Sequence, residues 1–119
     1  MELLEIQKEQ KNFDKEYFGK FWDIKNDGEF IDRLLYLVVA LTGELGEFAN
    51  IVKKISRDFN NLGEKPSTEK LEKLKEEITD CFIYVIIIAN LLDVNLEDEF
   101  LRKKDFNKKR FEKYKNNSV

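Results

Sequence analysis

Histidine is absent from the 119 residues, and cysteine and proline occur once each. Without histidine there is no Ser-His-Asp or Cys-His catalysis, no His-bearing zinc site and no Glu-x-x-His di-iron signature. Any metal bound here must accept oxygen ligands. The lone Cys81 has no intramolecular disulfide partner, and its setting in CFIYVII predicts an inert buried thiol. Strong charge of one sign is also missing: 21 basic and 24 acidic residues leave a net −3, too little for a bulk field drawing in nucleic acid or membrane. Basic residues thicken in LRKKDFNKKRFEKYK, but only Phe106 and Phe111 interleave them, and no nucleic-acid motif accompanies them. The longest uncharged apolar run, Cys81 to Leu92, falls short of the roughly 20 residues that cross a bilayer. The N-terminus has no apolar signal core. A cytoplasmic protein with no membrane or nucleic-acid partner is therefore expected.

What the chain does contain is 42% hydrophobic and 38% charged residues, the balance of a globular protein, and the length predicts one domain over 1–119. Residues 3 to 22 suggest an amphipathic helix with Leu3, Ile6, Phe13, Tyr17 and Phe21 on its apolar face. Asn26-Asp27-Gly28 reads as a turn, followed by a long helix from about Phe30 to Phe59. Asn60-Asn61-Leu62-Gly63 and Pro66 end it, and Ser67 is a suitable cap for a third helix running to Leu92. Asp93-Val94-Asn95 then breaks the chain before a fourth helix up to about Tyr114. The predicted fold is an all-α four-helix bundle. The third helix is apolar nearly all round at Ile86, Ile87 and Ile88, which predicts burial by a second subunit in a homo-oligomer, either dimer or tetramer.

Two acidic pairs stand apart. Glu44 and Glu47 are the only charges in LLYLVVALTGELGEFANIV, and Glu77 and Asp80 in KEEITDCFIY repeat the i,i+3 spacing on the third helix. With 24 acidic residues in the chain, many such pairs are merely solvated faces. These differ in their apolar setting, where burying a lone carboxylate costs several kcal/mol, order of magnitude. Neither apolar stretch contains a lysine or arginine to compensate, so antiparallel packing of the two helices would create a site for a cation. Oxygen ligands favour Mg²⁺, then Mn²⁺, and Ca²⁺ less. Carboxylate-held Mg²⁺ in turn suggests a phosphate-bearing substrate. Gly43 and Gly46 each cost the helix about 1 kcal/mol relative to alanine. They imply close packing against a neighbouring helix, room beside the glutamates, or both.

The ordered pieces Glu-x-x-Glu and Glu-x-x-Asp, with VALTGELGEFAN, DCFIYVIIIANLLDVNL and KKDFNKKRF, resemble the all-α nucleoside triphosphate pyrophosphohydrolases of the MazG-like superfamily. Within it the chain is most similar to the dCTP pyrophosphatase branch; phosphoribosyl-ATP pyrophosphohydrolase is a related alternative. It departs from the pattern at Asn50, where a third glutamate often follows, and in the long interval between Glu47 and Glu77. The resemblance implies hydrolysis of an NTP or dNTP to the monophosphate and pyrophosphate, in a role of nucleotide-pool house-cleaning. It implies Mg²⁺ held by Glu44, Glu47, Glu77 and Asp80, with Glu47 taking the proton of the attacking water. Lys103, Asn107 and Arg110 are the implied phosphate contacts, and Lys54 is a further basic residue near the glutamates. Tyr84 is the implied base-stacking residue, with Trp22 and its neighbour Phe21 as further base-pocket residues. A reading from another class is a non-enzymatic helical interaction protein whose acidic cluster is structural or a relic.

Overall fold

The computed structural model describes residues 1–115. It contains α1 (Leu3–Tyr17), α2 (Asp27–Leu62), α3 (Thr68–Leu91) and α4 (Leu96–Arg110), followed by a 3-10 turn at Glu112–Tyr114. The described residues contain no strand, so the all-α expectation holds.

The boundaries show which local signals prevailed. Asn26-Asp27-Gly28 is the start of α2 and not a separate turn. The Asn26 side chain accepts from Glu29 N–H at 2.9 Å, while the Glu29 carboxylate accepts from Lys25 N–H at 2.9 Å. This reciprocal arrangement is close to a capping box. At its other end α2 runs through Asn60-Asn61 and stops only at Gly63, whose φ of 67° closes the helix as a left-handed C-cap. Ser67 and Asn95 cap α3 and α4 as anticipated. α1 ends at Tyr17, earlier than the pattern suggests, because residues 18–23 form successive tight turns around Gly19.

The short connection at 63–67 folds α2 and α3 into an antiparallel hairpin, the central packing of the molecule. Asp58 pins its closed end, bonding Arg57 and, across the hairpin, Lys70, each at 3.1 Å. The Lys70 hydrogen bond, then that of Arg57, holds the Asp58 pKa below its ordinary value. At 1.5 Å per residue the 36-residue α2 is about 54 Å long, which matches the longest dimension of the molecule.

α1 packs with a face that only partly matches its apolar periodicity: Leu3 and Ile6 are half-buried as expected. Phe13 and Tyr17 are exposed, whereas Gln7 and Asp14 are buried. Gln7 knots three helices together. Its side-chain amide donates to Val94 O at 2.8 Å and to Asn90 Oδ1 at 3.2 Å, and its Oε1 accepts from Leu96 N–H at 3.0 Å. Asn90 returns a bond to Gln7 O at 3.0 Å. The Asp93 backbone, with φ 55°, makes the bend that brings Val94 and Leu96 to this knot.

The single chain leaves much apolar surface uncovered. Among the described residues Leu37, Cys81, Ile86 and Ala89 are the buried hydrophobic ones, while Ile31, Leu35, Val38, Leu45, Val52 and Phe59 form an exposed stripe on α2, spaced by four and three residues and then by sevens. The isoleucines expected to need a partner are largely covered within the chain: Ile86 is buried and Ile87 and Ile88 are half-buried. The greater uncovered face belongs to α2. A radius of gyration of 18.8 Å exceeds the roughly 13.5 Å of a compact chain of this length. By length and composition α2 could also cross a membrane. Its two central carboxylates, however, would then lie deep in hydrocarbon, a costly position.

Replacing Gln7 by leucine keeps the volume but orphans the groups around it. A stability loss of about 2–4 kcal/mol is expected in denaturant unfolding, with the amides at the start of α4 losing exchange protection first.

Candidate metal centre

The antiparallel hairpin sets the middle of α2 against the middle of α3. Carboxylate oxygens of Glu44, Glu77 and Asp80 lie within 4.8 Å of one another. An octahedral ion with 2.0–2.1 Å bonds spaces its ligand oxygens by about 2.9 to 4.1 Å, so small rotamer changes would let the three share one cation. Glu47 lies at the edge of this group. Its side chain is exposed but interacts with the Glu77 carboxyl. The hairpin thus gathers all four predicted carboxylates, three of them tightly.

The electrostatics favour a missing positive charge. Glu77 is buried, and its Oε2 has no hydrogen-bond partner among the described residues. The adjacent Glu44 carboxyl, and then burial, push the Glu77 pKa up; Asp80 adds to this and the Glu47 contact opposes it. The ion pairs that form among the described residues use Asp23, Asp58, Glu72 and Glu99. An orphaned buried oxygen inside a group of like charges fits a divalent cation held by oxygen ligands. Cys81 lies beside the group, and burial, followed by Glu44, Glu77 and Asp80, raises its pKa, which keeps it a thiol.

Gly43 and Gly46 stand clear of the rest of this chain. A Cβ at either position would meet nothing within 4 Å, so neither packs closely against a helix of this chain. The surface beside the glutamates is open.

Tyr84, one turn beyond Asp80, is half-buried; burial raises its pKa, with Tyr36, Glu44 and Asp80 adding to the effect. Tyr84 and Trp22 line one cavity of about 180 Å³, together with Asp14, Phe18, Phe21, Tyr36, Leu37 and Ile87. The three predicted base-pocket aromatics, Tyr84, Trp22 and Phe21, are therefore brought together. The predicted phosphate ligands are placed elsewhere in the single chain. Lys103, Asn107 and Arg110 stand on α4, which packs on α1, and Lys103 and Arg110 lie over the Phe106 and Phe111 rings at 4.9 and 5.0 Å. Lys54 is exposed on α2, two turns past Glu47. Asp14 and Gln7 were not singled out by the sequence; only their shared seven-residue spacing on α1 could have marked a common face.

The profile of the MazG nucleotide pyrophosphohydrolase domain matches residues 33–113. The chain belongs to the MazG family. It is 41% identical to the Gene 37 protein of Mycobacterium phage L5 over 68 residues, 57% of each chain. It is 36% identical to the uncharacterised protein YpjD of Bacillus subtilis over 84 residues, 69% of this chain and 65% of that one. The chain thus spans roughly three fifths of the length of these curated relatives. No solved structure matches it.

The repulsion around Glu77 gives a signed expectation. Because its folded pKa is raised, the metal-free protein should lose stability as pH rises above the ordinary carboxyl value of 4.5. At neutral pH, Mg²⁺ should raise the melting temperature. Glu77→Gln should raise the metal-free melting temperature and abolish the Mg²⁺ response, both read by thermal unfolding with and without chelator.

Proposed function

We propose that this MazG protein is a Mg²⁺-dependent pyrophosphohydrolase that converts a nucleoside or deoxynucleoside triphosphate to its monophosphate and pyrophosphate. The observation that carries this reading is the group of Glu44, Glu77 and Asp80 carboxylate oxygens within 4.8 Å, in which Glu77 also carries the orphaned Oε2. Mn²⁺ is the alternative ion for such a donor set.

Glu44, Glu77 and Asp80 would hold the metal. When bound, Mg²⁺ neutralises the triphosphate and activates water. Glu47, at the solvent edge beside Glu77, would orient the attacking water and take its proton as the oxygen attacks the α-phosphorus. The bond from the α-phosphorus to the α,β-bridging oxygen breaks, and pyrophosphate leaves. The open face at Gly43 and Gly46 leaves room for the phosphates. Tyr84 and Trp22 would flank the base in the aromatic cavity. That cavity reaches Leu37, seven residues from Glu44, or about 10 Å along the helix.

A second copy of the chain is the natural cover for the exposed stripe on α2. The spacing of Ile31, Leu35, Val38, Leu45, Val52 and Phe59 suits helix-to-helix packing. A dimer or tetramer would also allow Lys103, Asn107 and Arg110 to meet phosphates bound by another copy, with Lys54 adding charge nearby. Cytoplasmic nucleotide-pool house-cleaning and a dCTP pyrophosphatase-like preference complete the proposal.

Incubation with Mg²⁺ and a panel of canonical and modified NTPs and dNTPs tests the reaction. Monophosphate plus pyrophosphate is expected, with turnover falling by about 10²-fold or more in Glu47→Gln and Asp80→Asn at retained helicity. Diphosphate plus inorganic phosphate would overturn the assigned bond. No turnover across the panel would favour a non-catalytic interaction protein.

A further inference from the structure

The aromatic cavity between α1, the 18–22 turns, α2 and α3 contains one polar anomaly. Asp14 forms part of its wall, yet the residue is only 4% exposed. Its Oδ1 accepts from the Gln10 side-chain amide at 2.9 Å, while its Oδ2 is buried with no hydrogen-bond partner among the described residues. The other lining residues named above are Phe18, Phe21, Trp22, Tyr36, Leu37, Tyr84 and Ile87, and among these the tyrosine hydroxyls and the indole N–H are the only polar side-chain groups. An unsatisfied carboxyl oxygen in such surroundings is costly unless a ligand supplies a donor.

The cavity size and walls suit one planar ring. Its volume of about 180 Å³ equals the share of about six liquid waters. Aromatic side chains around it offer stacking surfaces that any nucleobase can use. Stacking does not discriminate closely related bases, so discrimination must come from a polar contact.

We propose that Asp14 is the base-selecting residue of this cavity: its Oδ2, sealed from water in the empty cavity, is uncovered by a small side-chain shift as a base enters and accepts an N–H from an exocyclic amine, so that amino-bearing bases are preferred to their oxo counterparts. This rests on the nucleotide reading above. Cytosine and adenine present an amine where uracil and hypoxanthine present a carbonyl oxygen. The amine completes the carboxylate's bonding, whereas the carbonyl sets one acceptor against another. Burial raises the Asp14 pKa and the Gln10 bond opposes that rise; an incoming amine would further favour the ionised, accepting form.

Gln10 makes the idea testable by a nearly isosteric change. Because it donates to Oδ1, the side chain in Asp14→Asn should keep its oxygen there and place its amide nitrogen where Oδ2 was. That nitrogen donates, so the selection should invert toward the oxo base. The test compares wild type and Asp14→Asn on dCTP against dUTP and on dATP against dITP, by kcat/KM with Mg²⁺. In parallel, dCMP and dUMP binding is followed in chelator by fluorescence of the single tryptophan, Trp22, excited beyond nucleotide absorption. Circular dichroism checks that the variant remains helical, and Gln10→Ala, which frees the amide to rotate, provides a second variant in the Asp14→Asn background.

The wild type should favour each amino nucleotide by about tenfold or more, and Asp14→Asn should reverse the ratio in both turnover and binding. Gln10→Ala added to Asp14→Asn should erase the reversed preference. Turnover with equal ratios in wild type and Asp14→Asn would overturn the assignment of Asp14 while leaving the pyrophosphohydrolase reading intact. Binding with the predicted inversion but no turnover would uphold Asp14 and sink the catalytic reading. A wild-type preference for the oxo partners, or no quenching by either monophosphate, would overturn the proposal.

Discussion

The antiparallel register of α2 against α3 is the constraint on which the rest depends. It places Glu44 opposite Glu77 and Asp80, and it carries Tyr84 against the wall containing Tyr36 and Leu37. A shift of one residue along α3 would rotate its side chains by about 100° and scatter the carboxylates. The register is fixed at one end by the Gly63 turn and the Asp58–Lys70 pair, and along the hairpin by the packing of buried Leu37, Cys81 and Ile86. Apolar burial on either side therefore forces together like charges that would otherwise separate. Such local conflict between stability and arrangement is the usual mark of a site.

The same logic appears on α1, where polar side chains take the inward positions. Gln7 is fully satisfied and joins α1 to the junction of α3 and α4. Asp14, two turns further on, is only half satisfied. Two buried polar residues on one helix face thus do opposite things: one closes the structure, and the other leaves an open valence.

Much of this was legible in the sequence where a residue's chemistry allowed one solution. Glu44, Glu47, Glu77 and Asp80 stood out because charge is rare in apolar helices, and Ser67 and Asn95 because helix ends need acceptors. Asn26-Asp27-Gly28 misled because the same residues suit a turn and a helix start. Asn60 and Asn61 misled because weak helix formers are still carried along until a left-handed residue ends the helix, which Gly63 does. Gln7 and Asp14 were invisible because burial of a polar residue depends on partners distant in sequence, here Asn90, Val94 and Leu96 for Gln7. Phe13 and Tyr17 were placed on the inward face of α1 for the same reason.

The family match begins at residue 33, after Asp14, Phe18, Phe21 and Trp22. The hairpin that assembles the carboxylates and the leading segment that walls the aromatic cavity are thus separate lengths of chain meeting at one seam. Substitutions in the leading segment can reshape what fits against Tyr84 without moving a single acidic side chain. Such an arrangement separates the acidic hairpin from the aromatic wall, so that changes among residues 14–22 alter the cavity and leave the carboxylates where they are.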